Sequence, residues 1–118
     1  MQVYETRVPV KMIKAYQLLY EIETILKSNI NQQLIQEYGI HWRTVLHEKR
    51  PLNETFLHEL VSYLFKYPHI FPKFNDTHRM KLKKLNDVRN KVCHMEDITS
   101  KELKLIKDSH KIIMKYSR

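Results

Sequence analysis

One cysteine, one glycine and four prolines are spread over 118 residues, and the longest apolar stretches, such as Leu60–Phe65, are short. A lone cysteine excludes a disulfide within the chain and fits a reducing, cytoplasmic compartment. A chain with one glycine and few regular strand alternations lacks the punctuation of a turn-rich β architecture, so a mostly helical protein is expected. Apolar runs this short do not span a bilayer, and no membrane partner is expected. The first ten residues carry Glu5 and lack a continuous apolar stretch before a small-residue cleavage site, which is unlike a signal peptide.

What is present argues for a folded domain. Hydrophobic residues make up 42 % and aromatics 10 %, enough to build a core, and the length suits a single domain over residues 1–118. Against 13 acids stand 21 Lys and Arg, a net charge of +8 with seven histidines uncounted. Such a balance favours a polyanionic partner, most simply nucleic acid, because neutralising phosphates releases counterions. Charge alone does not identify a function.

Along the chain, Pro9 suits the first turn of a helix in which Met12, Tyr16, Leu19, Ile22, Leu26 and Ile30 recur at spacings of three and four. This helix is expected to reach Tyr38, where Gly39 can adopt a left-handed cap. Residues 40–53 read as a loop or short irregular turn with Trp42 as its apolar anchor and Pro51 as a break. Asn53 is expected to cap a second helix with Phe56 or Leu57, Leu60, Val61, Leu64 and Phe65 on its apolar face, ended by Pro68 and Pro72. Phe71 and Phe74 are expected in the core. A third helix starts near Asp76 or Thr77 and turns Leu82, Leu85, Val88, Val92 and Met95 inward. The last is marked by the capping box from Thr99 to Glu102 and carries Leu103, Ile106, Ile113 and Tyr116. The expected fold class is all-α, a four- to five-helix bundle.

Within the third helix, "LNDVRNKVCHMEDIT" (85–99) places Arg89, Asn90, Cys93 and His94 close together. The inward residues span an arc of about 140°, with Arg89 and Cys93 on its border and Asn86, Asn90 and His94 in a row just beyond. The plain reading is a solvated helix edge ending in a histidine that favours the helix dipole. The functional reading is a site for phosphate chemistry on a half-exposed flank. Neither Arg89 nor His94 is expected deep in the core. Other candidates carry less. The histidines at 41, 47, 58, 69, 78, 94 and 110 form no close pair and join Cys93 in no ligand set, so no metal and no cofactor is expected. Cys93 reads as a packed border residue, His110 as a hydrogen-bonded core histidine, and Trp42 as packing with base stacking as the alternative.

"VRNKVCH" resembles the R-N-x-x-x-H form of the Arg-x4–6-His motif of the HEPN (higher eukaryotes and prokaryotes nucleotide-binding) family. The resemblance extends to the first helix "LLYEIETILKSNI", the Trp42 segment, the motif's place on the penultimate helix and the capped last helix, and so covers nearly the whole chain. It implies a helical bundle that commonly dimerises with two motifs facing each other. In catalytic members it implies metal-independent endoribonuclease activity, in phage defence, toxin or RNA-processing settings, with an antitoxin or defence complex as further partner. Arg89 and His94 match the motif positions, and Asn90 matches the polar residue after the Arg. Glu96 stands where some HEPN toxins carry the Tyr linked to nucleotidyltransferase antitoxins, which puts that form of control in doubt.

RNA cleavage without a metal uses the substrate's 2′-OH as nucleophile and needs a proton acceptor, a proton donor and a cation for the phosphorane. His94 exchanges protons at cellular pH, Arg89 offers a permanent fork of donors to phosphate oxygens, and Asn90 can hold the imidazole or bond the phosphate. One His per chain cannot easily be acid and base together, which makes a second motif from a partner chain attractive. Two readings stand: a metal-independent endoribonuclease with catalytic Arg89, Asn90 and His94, or a non-catalytic module that binds RNA or nucleotide, or only dimerises.

Overall fold

The computed structural model describes residues 8–117. The reading of the leading segment falls, as far as Arg7, outside them. The described residues form five α-helices and a 3-10 turn, with no strand among them. No helix among them is long and apolar enough to cross a membrane.

Helix α1 (Val10–Tyr38) follows Pro9, whose carbonyl accepts from the N–H groups of Met12 and Ile13. It stops at Gly39, which takes φ 85° and donates its N–H to the Ile35 carbonyl at 2.8 Å. A side chain would strain that left-handed backbone, so the one glycine sits where it is required. The buried face of α1 is Ala15, Leu18, Leu19, Ile22, Leu26, Ile30 and Leu34. Tyr16 does not belong to it: the residue lies about 90° from the centre of that stripe and is 64 % exposed.

Of the loop or short turn expected around Trp42, the structure takes the turn, a single turn of helix, α2 (Trp42–Val45). Trp42 is the anchor expected: it is buried, donates Nε1–H to Asn31 Oδ1 at 3.1 Å and meets the Tyr63 ring edge-on at 6.0 Å. Burial withdraws it from base stacking. Beyond it Glu48 ties the segment to α3, accepting from Lys66 Nζ at 3.0 Å and from the Tyr67 hydroxyl at 2.9 Å. Burial, and then this hydrogen bond, push the Tyr67 phenol up to about 12.

Asn53 does not cap the next helix. It lies in the 3-10 turn Leu52–Glu54, closed by the Thr55 hydroxyl donating to the Leu52 carbonyl, after which Thr55 and Phe56 are extended. Helix α3 (Leu57–Lys66) then starts four residues later than Asn53, with the Glu59 carboxylate accepting from the Phe56 N–H at 3.4 Å. Leu57, Leu60, Val61, Tyr63 and Leu64 are buried, whereas Phe56 and Phe65 remain exposed.

Phe71 and Phe74 enter the core, and α4 (Asp76–Cys93) begins where Asn75 Oδ1 accepts from the His78 N–H at 2.9 Å. His78 returns the contact by accepting from the Asn75 N–H, a reciprocal cap with imidazole in place of the usual carboxylate. Helix α5 (Ser100–Tyr116) has its expected box: Thr99 Oγ1 accepts from the Glu102 N–H and Glu102 Oε1 from the Thr99 N–H. Glu102 also receives Lys91 Nζ at 2.8 Å, which joins the start of α5 to the end of α4. Helix α1 packs along α5 and also touches α2, α3 and α4, so the core lies around the middle of α1.

Candidate functional site

Helix α4 turns Leu82, Leu85, Val88 and Val92 into the core, and this fixes the rotation of everything else on it. Arg89 lies about 45° from the centre of that buried arc, close enough for its stem to be covered while its head reaches α1. Its Nε donates to Glu23 Oε1 at 3.0 Å, with the two side chains 18 % and 21 % exposed. The guanidinium also stands 5.2 Å from the centre of the Phe56 ring. Arg89 is therefore held at the meeting point of α1, α4 and the entry to α3. Its Nη groups have no hydrogen-bond partner among the described residues.

Asn90 and His94 lie on the outer side of α4 and are exposed. They are four residues apart, the second ending the helix as its C-cap. The helix stop here has the double hydrogen bond of a Schellman turn: the Glu96 N–H reaches the Lys91 carbonyl at 2.8 Å and the Met95 N–H the Val92 carbonyl at 3.1 Å. The left-handed position of such a turn ordinarily belongs to glycine, but here Met95 occupies it with φ 60°. The expectation that Met95 faces the core is thereby overturned. The chain leaves the helix after Cys93, so helical periodicity cannot be extended to residue 95, whose side chain is 91 % exposed.

Cys93 is likewise exposed rather than packed. It is the last residue of α4 and lies about 85° from the centre of the buried arc. His110 is half-buried on α5 and bonds Glu21 at 2.9 Å, a hydrogen-bonded histidine as expected, though at the edge of the core instead of within it. It pairs with a different residue of α1 from the one Arg89 uses, and among the described residues no hydrogen bond or ion pair joins it to the motif. Among the described residues no group of three His, Cys, Asp or Glu is placed to hold a metal ion.

Two contributors to this site were not foreseen from sequence, Glu23 and Phe56. Glu23 flanks the buried stripe of α1, a common place for a charged residue, and its pairing with a residue 66 positions away is a property of the packing. Phe56 was read as a choice with Leu57 for the apolar face; Leu57 took the buried place and Phe56 was left beside Arg89. Comparison with family models, curated proteins and solved structures finds no match for the chain.

Proposed function

We propose that the protein is a metal-independent endoribonuclease of HEPN type that works as a homodimer. The observation that carries the reading is α4 itself: a guanidinium fixed by Glu23 and Phe56 with its outer donors unspent, followed on the outer side of the same helix by an exposed amide at Asn90 and an exposed imidazole at His94. Fixing a phosphate cation before substrate arrives removes reorganisation from the chemical step. Arg89 binds non-bridging oxygens of the scissile phosphate and stabilises the charge that grows on the phosphorane. An imidazole takes the proton from the 2′-OH, which attacks phosphorus, and the 5′-oxygen leaves with a proton from a second acid. Asn90 hydrogen-bonds the phosphate or the ring. The products are a 2′,3′-cyclic phosphate and a 5′-OH, and DNA survives for want of the 2′-OH.

Base and acid roles fall to two copies of His94 if two chains meet near the motif. A surface suited to that contact lies beside it: Ile13, Tyr16 and Tyr20 of α1 are exposed and share an arc of about 60°, which leads along the same helix face to Glu23. The test is incubation of the purified protein with labelled RNA in EDTA. Cleavage that proceeds with the chelator and yields cyclic-phosphate ends is expected. Strict dependence on an added divalent ion overturns this mechanism.

A non-catalytic module that binds RNA or nucleotide is the second reading. Its support is that Asn90 and His94 make no side-chain hydrogen bond among the described residues, so nothing within one chain orients the imidazole. RNA binding with no cleavage under any condition would select it.

A further inference from the structure

Between α3 and α4 runs an open cleft of ≈ 670 Å³, walled by His58, Val61 and Phe65 on one side and Leu82, Lys83 and Asn86 on the other. One exposed aromatic ring, Phe65, lines it, and a second, Phe56, lies outside the lining and stacks against His58, which is part of it. The inward stripe of α3 is already filled by Leu57, Leu60, Val61 and Leu64, so Phe56 at the start and Phe65 near the end are left outside, 49 % and 41 % exposed. Each ring has a cation over it. The Arg89 guanidinium stands 5.2 Å from the Phe56 ring centre, and Lys83 Nζ stands 5.8 Å from that of Phe65. Phe56 is also nearly parallel to His58, at 17° with ring centres 6.4 Å apart. Along α4 the polar wall does not stop at the cleft. Asn86 is followed one turn later by Asn90 and one turn after that by His94, so the cleft opens toward the motif.

Flat rings each flanked by a cation match a chain that alternates flat bases with phosphates. We propose that this cleft is a stacking platform for single-stranded RNA, one base resting on His58, which Phe56 backs, and another on Phe65, with Lys83 on the intervening backbone and the strand leading to Arg89, Asn90 and His94. The proposal rests on the ribonuclease reading only for where the strand leads; binding in the cleft does not require cleavage. A duplex is disfavoured because its base faces are hidden inside the stack. A second copy of the chain is a poorer occupant. It would bury Lys83 and Lys84 against a surface whose acidic lining residue is Asp87 alone, while the uncharged stripe of Ile13, Tyr16 and Tyr20 offers the better self-contact.

The experiment is fluorescence anisotropy with a labelled oligouridine and with a duplex RNA of equal length, on protein carrying His94→Ala so that the probe stays intact. Phe65→Ala and Lys83→Gln, each at an exposed position, are expected to weaken oligouridine binding by about tenfold while Phe65→Tyr retains it, and duplex affinity should not change. Thermal melting of each variant separates lost binding from lost fold; Phe65→Leu, which keeps apolar area without a ring, should fold and still bind as weakly as Phe65→Ala. Unchanged oligouridine affinity in Phe65→Ala overturns the proposal. So does a shift of sedimentation coefficient in place of affinity, which would make the cleft a face between copies. The two readings fail separately: an intact protein that binds through Phe65 but never cuts overturns the ribonuclease, and one that cuts while indifferent to Phe65 overturns the platform.

Discussion

Arg89 and His94 stand five residues apart, yet the structure gives them opposite dependence on the fold. His94 is exposed at a helix end and bonds nothing through its ring among the described residues, so His94→Ala should leave the melting temperature within a degree or two while removing the proton carrier, at a cost of about 10²-fold or more in cleavage rate. Arg89 is different. Sequence alone placed it on the border of the core with no stated partner, but Glu23 and Phe56 both depend on it, and Arg89→Ala strands a half-covered carboxylate. That variant is expected to lose about 1–2 kcal/mol of stability together with activity. Arg89→Lys should recover part of the stability but little of the rate, because an ammonium cannot hold Glu23 and offer a planar fork at once. Denaturant melts run beside single-turnover cleavage assays separate the two effects. Equal loss of stability in the His94 and Arg89 variants would contradict this division.

Helix boundaries were legible wherever a local chemical signal fixed them. Gly39 and the Thr99–Glu102 box sit where the pattern put them, and Pro9 stands one residue ahead of the first turn it was expected in, as the N-cap, since caps and breakers act within a few residues. The start of α3 was misplaced because Asn53, a residue type suited to capping, does not cap it. The 3-10 turn closed by Thr55 uses that segment first, and Phe56 with Glu59 begins the helix. For the site, the rotation of α4 was legible from its apolar residues, while Glu23 was not, since the register of α1 against α4 is set by packing between distant parts of the chain. The tie between the Trp42 segment and α3 has a pH signature of its own. Tyr67, held up to about 12 against an ordinary 10.0, favours the neutral phenol in the native state. Its contribution is therefore complete below pH 10 and lost as pH rises from there toward 12. The difference in melting temperature between the unmodified protein and Tyr67→Phe should shrink across that interval. A difference that stays constant would place the stabilisation elsewhere than in the phenol proton shared with Glu48.

At the scale of the molecule, the net charge of +8 sets how RNA is held. If phosphates supply most of the attraction, affinity should fall steeply between low and physiological salt, and a flat series would exclude an electrostatic footprint. Assembly decides the rest of the mechanism. In a composite site, mixing His94→Ala with Arg89→Ala should restore part of the activity that each lacks alone, provided one Arg and one His from different chains suffice, and analytical ultracentrifugation should find a dimer with an isologous contact. A fully active monomer would end the two-chain scheme. The scarcity of glycine has a further effect that no contact in the fold reveals. Because glycine is confined to position 39 and even the left-handed turn after α4 uses methionine, the denatured chain has few backbone positions with glycine's wide range of conformations. Folding consequently gives up less disorder than it would from a glycine-rich chain of the same length, by about 0.5–1 kcal/mol for each glycine replaced at a compatible site. Part of what holds this bundle together is thus a restriction already present before any helix has formed.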